Sequence, residues 1–289
     1  MDFNHKIKKK PVVIIVAIIL MVIFCIWQNN SIVISSFIYI SDKVPDTFNG
    51  FRILQISDLH NKNFGRNQSY LVKKVKEASP DIIVITGDLI DSRRYNLDTA
   101  MCFIQQAVEV APVYYVSGNH EARTGRYEEI KSRLQEAGVI VLDNDSVICK
   151  VEGSSIRLIG LKDPNFFSHE YLDGSGTRQM ETYLDNYKDS SELKILLSHR
   201  PELIYMYKNY NADIVFSGHA HGGQIRLPLV GGLVAPKQGL FPKYDGGEYT
   251  EEGTTMYVSR GLGNSLFPLR LFNRPELIVV TIKNMEPDL

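Results

Sequence analysis

Ala212-Asp213-Ile214-Val215-Phe216-Ser217-Gly218-His219-Ala220-His221-Gly222-Gly223 is a short apolar run that stops at a small residue and then presents two imidazoles among glycines. The run has the length and β-branched content of a strand, and glycine lets the chain turn sharply after it. The same grammar recurs four more times. Residues 51–56 lead to Ser57-Asp58-Leu59-His60, residues 81–85 to Thr86-Gly87-Asp88, residues 112–116 to Ser117-Gly118-Asn119-His120-Glu121, and residues 193–197 to Ser198-His199. Unbroken apolar runs of this kind suit strands covered on both faces. Helical patterns fall between several of them, at 68–78, 97–110, 127–137 and 201–210. The order is that of an α/β fold, in which chemistry gathers outside the carboxyl ends of the strands. Each of the five runs ends there in Asp, Asn or His. Taken singly these are ordinary turn residues; five together imply one cluster.

Composition narrows the class. Among 289 residues, 44% are hydrophobic and 22% charged, which excludes a disordered chain or a fibre and leaves one sizeable α/β domain. Lys+Arg of 32 against Asp+Glu of 33 gives a net charge of −1, so the basic footprint for holding a phosphate backbone is missing and nucleic acid is not an expected partner. Cys25, Cys102 and Cys149 are too few and too irregular for a disulfide framework or a CxxC metal site. Three separate thiols are expected, with a Cys102–Cys149 bridge open in an oxidising compartment.

The N-terminus reads differently. Residues 1–10 carry Lys6, Lys8, Lys9 and Lys10, and residues 11–27 are PVVIIVAIILMVIFCIW, with no charged side chain before Asp42. The expected organisation is a basic cytoplasmic tail at 1–10, a transmembrane signal-anchor helix at 11–30 and a single domain at 31–289. The cationic flank implies an N-in, C-out, single-pass protein of the cell membrane with its domain outside the cytoplasm. A cleaved signal peptide shares the pattern. However, no small-x-small cleavage site follows Trp27, and Phe24 is bulky where a lipoprotein signal ending at Cys25 wants a small residue.

The D-x-H of 58–60, G-D of 87–88, G-N-H-E of 118–121, the later His199 and G-H-x-H of 218–221 resemble, in type and order, the calcineurin-like metallophosphoesterase family. The resemblance runs over about 44–283. Gly222-Gly223-Gln224 and the closing segments 258–263 and 274–276 resemble its membrane-associated bacterial branch, which includes enzymes similar to UDP-2,3-diacylglucosamine pyrophosphatases. Glu121 stands where many relatives have Asp, and Ala220 where this branch often has Thr. The fold so implied is a four-layer αββα sandwich, two facing mixed sheets flanked by helices, here preceded by the transmembrane helix.

By position, the resemblance implies two divalent ions bridged by Asp88, one held by Asp58, His60 and His221, the other by Asn119, His199 and His219. Imidazole, carboxylate and amide-oxygen donors independently suit Mn²⁺, Zn²⁺ or Fe rather than Ca²⁺. Such a pair activates a bridging hydroxide and clamps the oxygens of an in-line phosphoryl displacement. The implied activity is cleavage of a phosphoester or pyrophosphate bond, with the anchor favouring a lipid-linked or envelope phosphate compound. His120 is assigned to the leaving oxygen, with Glu121 orienting it, and Asp91 to accepting from a ligand histidine. Arg123, Arg260 and Arg270 are candidates for phosphate oxygens because guanidinium matches them in bidentate fashion; surface salt bridges are the commoner fate. His5 and His169 are expected to be non-ligands. Residues 164–192 form either a lid or a surface excursion, and the apolar, glycine-rich stretch 227–247 either receives an acyl chain or packs on the second sheet. A catalytically silent metal-binding scaffold on the same fold is the alternative. It expects missing ligands, and none is missing.

Overall fold

A computed structural model describes residues 9–172, 174, 176–264 and 267–285; most of the basic tail, including Lys6 and Lys8, lies outside the described residues. In chain order the strands are Val33–Ser41 (β1), Arg52–Ile56 (β2), Ile82–Thr86 (β3), Val113–Val116 (β4), Ile140–Val141 (β5), Asp145–Val151 (β6), Ser154–Gly160 (β7), Lys194–Leu197 (β8) and Ile214–Ser217 (β9). Four two-residue strands follow, Arg226–Leu227 (β10), Gly231–Gly232 (β11), Val234–Ala235 (β12) and Gly239–Leu240 (β13). Gly247–Glu251 (β14), Thr254–Val258 (β15) and Glu276–Asn284 (β16) complete the set. The helices are Lys9–Asn30 (α1), Ser69–Ala78 (α2), Leu97–Ala107 (α3), Asn119–Arg123 (α4), Tyr127–Glu136 (α5), Arg178–Leu184 (α6) and Ile204–Asn209 (α7).

Two six-stranded mixed sheets result, ordered β1-β16-β2-β3-β4-β5 and β14-β15-β9-β8-β7-β6. Alternation along each strand assigns its faces. In β3, Ile83 and Ile85 turn outward to a core shared with α2, α3 and α5, while Ile82 and Val84 turn inward. There they meet Leu158, Leu197, Phe216 and Tyr257 of the second sheet. On the far side, Val215 and Leu196 pack with Met180 of α6 and Met206 and Tyr207 of α7. The layers are therefore helix, sheet, sheet, helix, as expected. Burial on both faces explains why these strands show no polar alternation.

The carboxyl ends of β2, β3, β4, β8 and β9 meet at one edge. Buried Gln55 ties both sheets there, its amide donating to Thr86 Oγ1 at 2.9 Å and to the Ser217 carbonyl at 2.8 Å. The strand β16 closes the first sheet by running parallel to β1 and antiparallel to β2.

The 20-residue stretch Pro11–Asn30 within α1 is long and apolar enough to cross a membrane, and only 6% of its most apolar window is buried. That exposure separates it from a core helix. Its last turn is fixed to the body: Asn29 Oδ1 accepts from the Arg270 backbone N–H at 2.9 Å, the Phe24 and Phe272 rings lie 5.7 Å apart, and the Arg274 guanidinium sits 4.8 Å over Trp27.

Cys25, Cys102 and Cys149 are free thiols. The described part of residues 164–192 packs as an excursion on the outer face of the second sheet, burying Tyr171, Met180 and Leu184. The stretch 227–247 divides its side chains. Ala235 and Tyr244 join the same outer core, while Leu229, Val230, Leu240 and Phe241 stay exposed.

Candidate metal centre

Each strand end turns abruptly, and the turning residues are themselves the candidate ligands. Asp58, His60, Asp88, His219 and His221 all have positive φ, between 46° and 65°. The left-handed backbone swings these side chains back over the strand ends. Two glycines make room. A Cβ on Gly218 would stand 1.9 Å from Ser57 Oγ, and one on Gly118 would stand 2.3 Å from Asp88 Oδ1.

Asp58, His60, Asp88 and His221 offer ligand atoms all within 4.8 Å of one another; Asp88, His199 and His219 form a second such group. Asp88 is common to both. Asn119 joins the second group through its Oδ1, 3.2 Å from His199 Nε2. All seven side chains are buried. The sequence therefore named a set that the fold brings together from five strand ends.

The donor geometry asks for cations. His199 Nδ1 lies 2.7 Å from the Thr86 carbonyl, which accepts its proton, so Nε2 faces two further oxygens, Asn119 Oδ1 at 3.2 Å and Asp88 Oδ2 at 3.3 Å. A lone pair aimed at two acceptors is repulsive unless a proton or a metal ion stands between them. Burial opposes charge on His199, but Asp88 outweighs it and raises the pKa to about 10, which expresses the same demand as a proton. Similarly, His60 Nε2 and His221 Nε2 are 3.2 Å apart, with Asp58 Oδ1 3.3 Å from the latter. Burial works against the charge of Asp58, yet the imidazoles of His221 and His60 hold its pKa at about 2. Burial pushes His221 down to about 3, leaving a neutral nitrogen donor. The residues present thus fit divalent ions of the Mn²⁺, Zn²⁺ or Fe type.

His120 stands beside this cluster, its ring 4.5 Å from that of His60 and its Nε2 4.0 Å from Asp88 Oδ2. The Ser92 backbone N–H donates to Nδ1 at 3.0 Å. A backbone amide can only donate, so the proton of neutral His120 lies on Nε2, which faces the centre. Burial lowers its pKa to about 4.

Glu121 does not orient His120. Its carboxylate accepts from the amides of Asp88 and Gly118, both at 2.8 Å, and of Ile90 at 3.3 Å, clamping two of the turns together. Asp91 does not serve a ligand histidine either; it lies 3.5 Å from His120 Nδ1 and pairs with Arg93 at 2.8 Å and Arg94 at 3.2 Å.

The three arginines part company. Arg123, on α4, is close enough for its charge to depress His120. Arg260 is instead spent on Glu276 at 2.6 Å. Arg270 is fully buried and donates to the carbonyls of Arg260 at 2.8 Å and Gly263 at 3.2 Å, so it supports the closing loop rather than reaching for phosphate. Sequence reasoning missed Arg93 and Arg94, whose placement depends on Asp91. It also missed Arg200, which is buried, grips Asp163 through Nε at 2.6 Å and Nη2 at 3.0 Å, and donates from Nη1 to His219 Nε2 at 2.6 Å. His169 lies outside the cluster, 3.3 Å from Asn165 Nδ2.

Residues 51–223 match the calcineurin-like phosphoesterase family. The chain is 31% identical over 250 residues to the metallophosphoesterase YkuE of Bacillus subtilis, covering 84% of this chain and 83% of that one. It is 27% identical over 237 residues to the phosphodiesterase YaeI of Escherichia coli, covering 80% and 82%. A transmembrane protein with metallophosphoesterase domain from Danio rerio is 30% identical over 249 residues, covering 84% of this chain and 55% of the other. Among solved structures, TT1561 of Thermus thermophilus superposes with a TM-score of 0.50 at 14% identity, over 74% of this chain and 91% of that one, a likeness of fold. With its buried Asp/His clusters meeting at Asp88, the chain belongs to the calcineurin-like phosphoesterase family and is a metal-dependent phosphoesterase.

Proposed function

We propose that this chain is a membrane-anchored phosphohydrolase with a dinuclear centre, acting on phosphate esters or pyrophosphates presented at the outer surface of the cell membrane. The observation that carries the reading is the sharing of Asp88 by two buried ligand groups. Asp58, His60 and His221 would hold one ion, Asn119, His199 and His219 the other, with Asp88 between them. Bound there, a dication pair supplies a hydroxide nucleophile near neutral pH and neutralises charge on the phosphoryl oxygens.

The protein's own groups do the rest. His120 presents Nε2–H beside the centre and stays neutral down to about pH 4, so it stabilises the leaving oxygen by donating a hydrogen bond without surrendering the proton. Arg123 supplies positive charge for non-bridging oxygens, while Arg93 and Arg94 are taken up by Asp91. Glu121 keeps the Asp88 and Gly118 turns in register. The lysine-rich start and exposed α1 support an N-in anchor with the phosphoesterase domain outside. The resemblance to UDP-2,3-diacylglucosamine pyrophosphatases and the anchor together favour a lipid-linked or other envelope phosphate.

The test is hydrolysis of bis(p-nitrophenyl) phosphate by the purified full chain. Turnover should vanish on chelation and return with Mn²⁺ or Zn²⁺. Tight metal binding without cleavage of any phosphate ester would overturn the reading.

A further inference from the structure

An apolar recess opens directly beside the candidate metal centre. His221 lines both. From His221 the recess runs over Gly223 and Gln224 to a wall of Ile225, Leu233, Val234, Ala235 and Phe267, enclosing about 420 Å³. That is the size of a small-molecule site. Gln224 Oε1 lies buried beside the centre with no hydrogen-bond partner; beyond it the wall is hydrocarbon.

The wall of the recess connects, through Ile225, to the C-terminal turns of α1, the candidate membrane span. Ile225 bridges Leu271, and the next residue, Phe272, packs its ring 5.7 Å from Phe24 in the last turns of α1. Phe272 also shares a surface depression with Leu229 and Val230. Leu229, Val230, Leu240 and Phe241 are all more than half exposed, at 109, 61, 69 and 59%. Exposed apolar side chains concentrated in this way mark a binding or membrane surface. Trp27 at the end of α1, with Arg274 over its ring, is an aromatic residue of the kind enriched at the headgroup level of spanning helices. Apolar side chains therefore occupy three neighbouring places, the end of α1 with Phe272, the exposed loop, and the recess that reaches His221.

We infer that this recess receives the hydrocarbon tail of an amphiphilic phosphate ester, drawn from the membrane with its phosphate delivered to the metal centre. The inference rests on the phosphohydrolase reading above and names its substrate class. Gln224 Oε1 stands where head and tail join, ready to accept from a hydroxyl or amide there. The loop at 227–241 lies in the interface and orients the mouth of the recess towards lipid.

The experiment uses the full chain in lipid nanodiscs, loaded with Mn²⁺, and a series of p-nitrophenyl alkyl phosphodiesters with methyl, butyl and octyl chains, each below its micellar concentration. A buried methylene contributes up to about fourfold, and the octyl-to-methyl ratio of kcat/KM should reach at least about a hundredfold. Val234→Asp and Phe267→Asp, both at positions 45% exposed and outside the packed cores, should cut that ratio by tenfold or more. Because partition into the disc is the same for every variant, their difference from the parent reports the recess alone. An unchanged ratio in both variants, with the methyl ester still cleaved, would overturn the tail site and leave the phosphohydrolase intact. Failure to cleave any ester would instead strike at the phosphohydrolase reading. Calorimetric binding of octylphosphonate against methylphosphonate then decides the recess separately, equal affinities counting against it.

Discussion

His120 owes its tautomer to one backbone amide. With Ser92 N–H on Nδ1, the remaining proton faces the candidate metal centre, and in the proposed role replacing the ring by alanine should lower kcat by about 10²- to 10⁴-fold while metal content, read by elemental analysis, is unchanged. Full turnover in His120→Ala would remove the assignment. His199 makes a different demand. Its pKa of about 10 in the ion-free site means it carries a proton at pH 7 that an incoming dication must expel. Metal affinity should therefore rise as pH increases towards 10, by up to tenfold per unit for the one proton displaced. Calorimetric titration in buffers of different ionisation enthalpy checks this; zero proton release would contradict it. All seven candidate ligands were readable because aspartate, asparagine and histidine at strand ends have few other reasons to recur. Arg200 and Arg93 were not, since an arginine acquires meaning only through the carboxylate it meets, Asp163 and Asp91 here.

The strands of the two central sheets were readable for a related reason: double-sided burial leaves a hydrophobic run that no helix of four to six residues would need. The helices α2, α3 and α5 appeared within a few residues of their observed ends. By contrast β1 escaped notice. It alternates half-buried and exposed positions immediately after an apolar helix, so its hydropathy merges with that of α1. The two-residue strands of the 227–241 loop owe their existence to local turns and a bridge to Leu271, which no periodicity records. The excursion after β7 is held by Arg200, whose guanidinium pairs with Asp163 and stacks 4.8 Å over Tyr171. Breaking a buried pair leaves an uncompensated charge, so Asp163→Ala should cost about 3–5 kcal/mol in urea unfolding. A loss below about 1 kcal/mol would show that the pair is solvated. The turn at Gly218 is equally unforgiving. Adding a methyl group against Ser57 and Asp58 should destabilise the fold by about 1–3 kcal/mol and weaken metal binding, measurable as a lower unfolding midpoint and lower metal occupancy in Gly218→Ala.

Across the entire chain, the proposed orientation is open to a direct check. In a variant whose three native cysteines are replaced by alanine, Glu252→Cys, at a largely exposed side chain, should react with a membrane-impermeant maleimide in intact cells. Labelling only after lysis would place the domain in the cytoplasm. The fold joins two sheets at an edge where Asp58, His60 and Asp88 come from one and His199, His219 and His221 from the other. Five of these six residues sit in a backbone conformation that side chains other than glycine's adopt at a cost of about 1–3 kcal/mol each. Bound cations would consequently act as a clasp, keeping several tensed hinges shut at once. Stripping them should let the opposing edges breathe as a unit, seen as faster amide exchange over 57–60, 87–90 and 218–224 while the β1–β16 ladder keeps its protection.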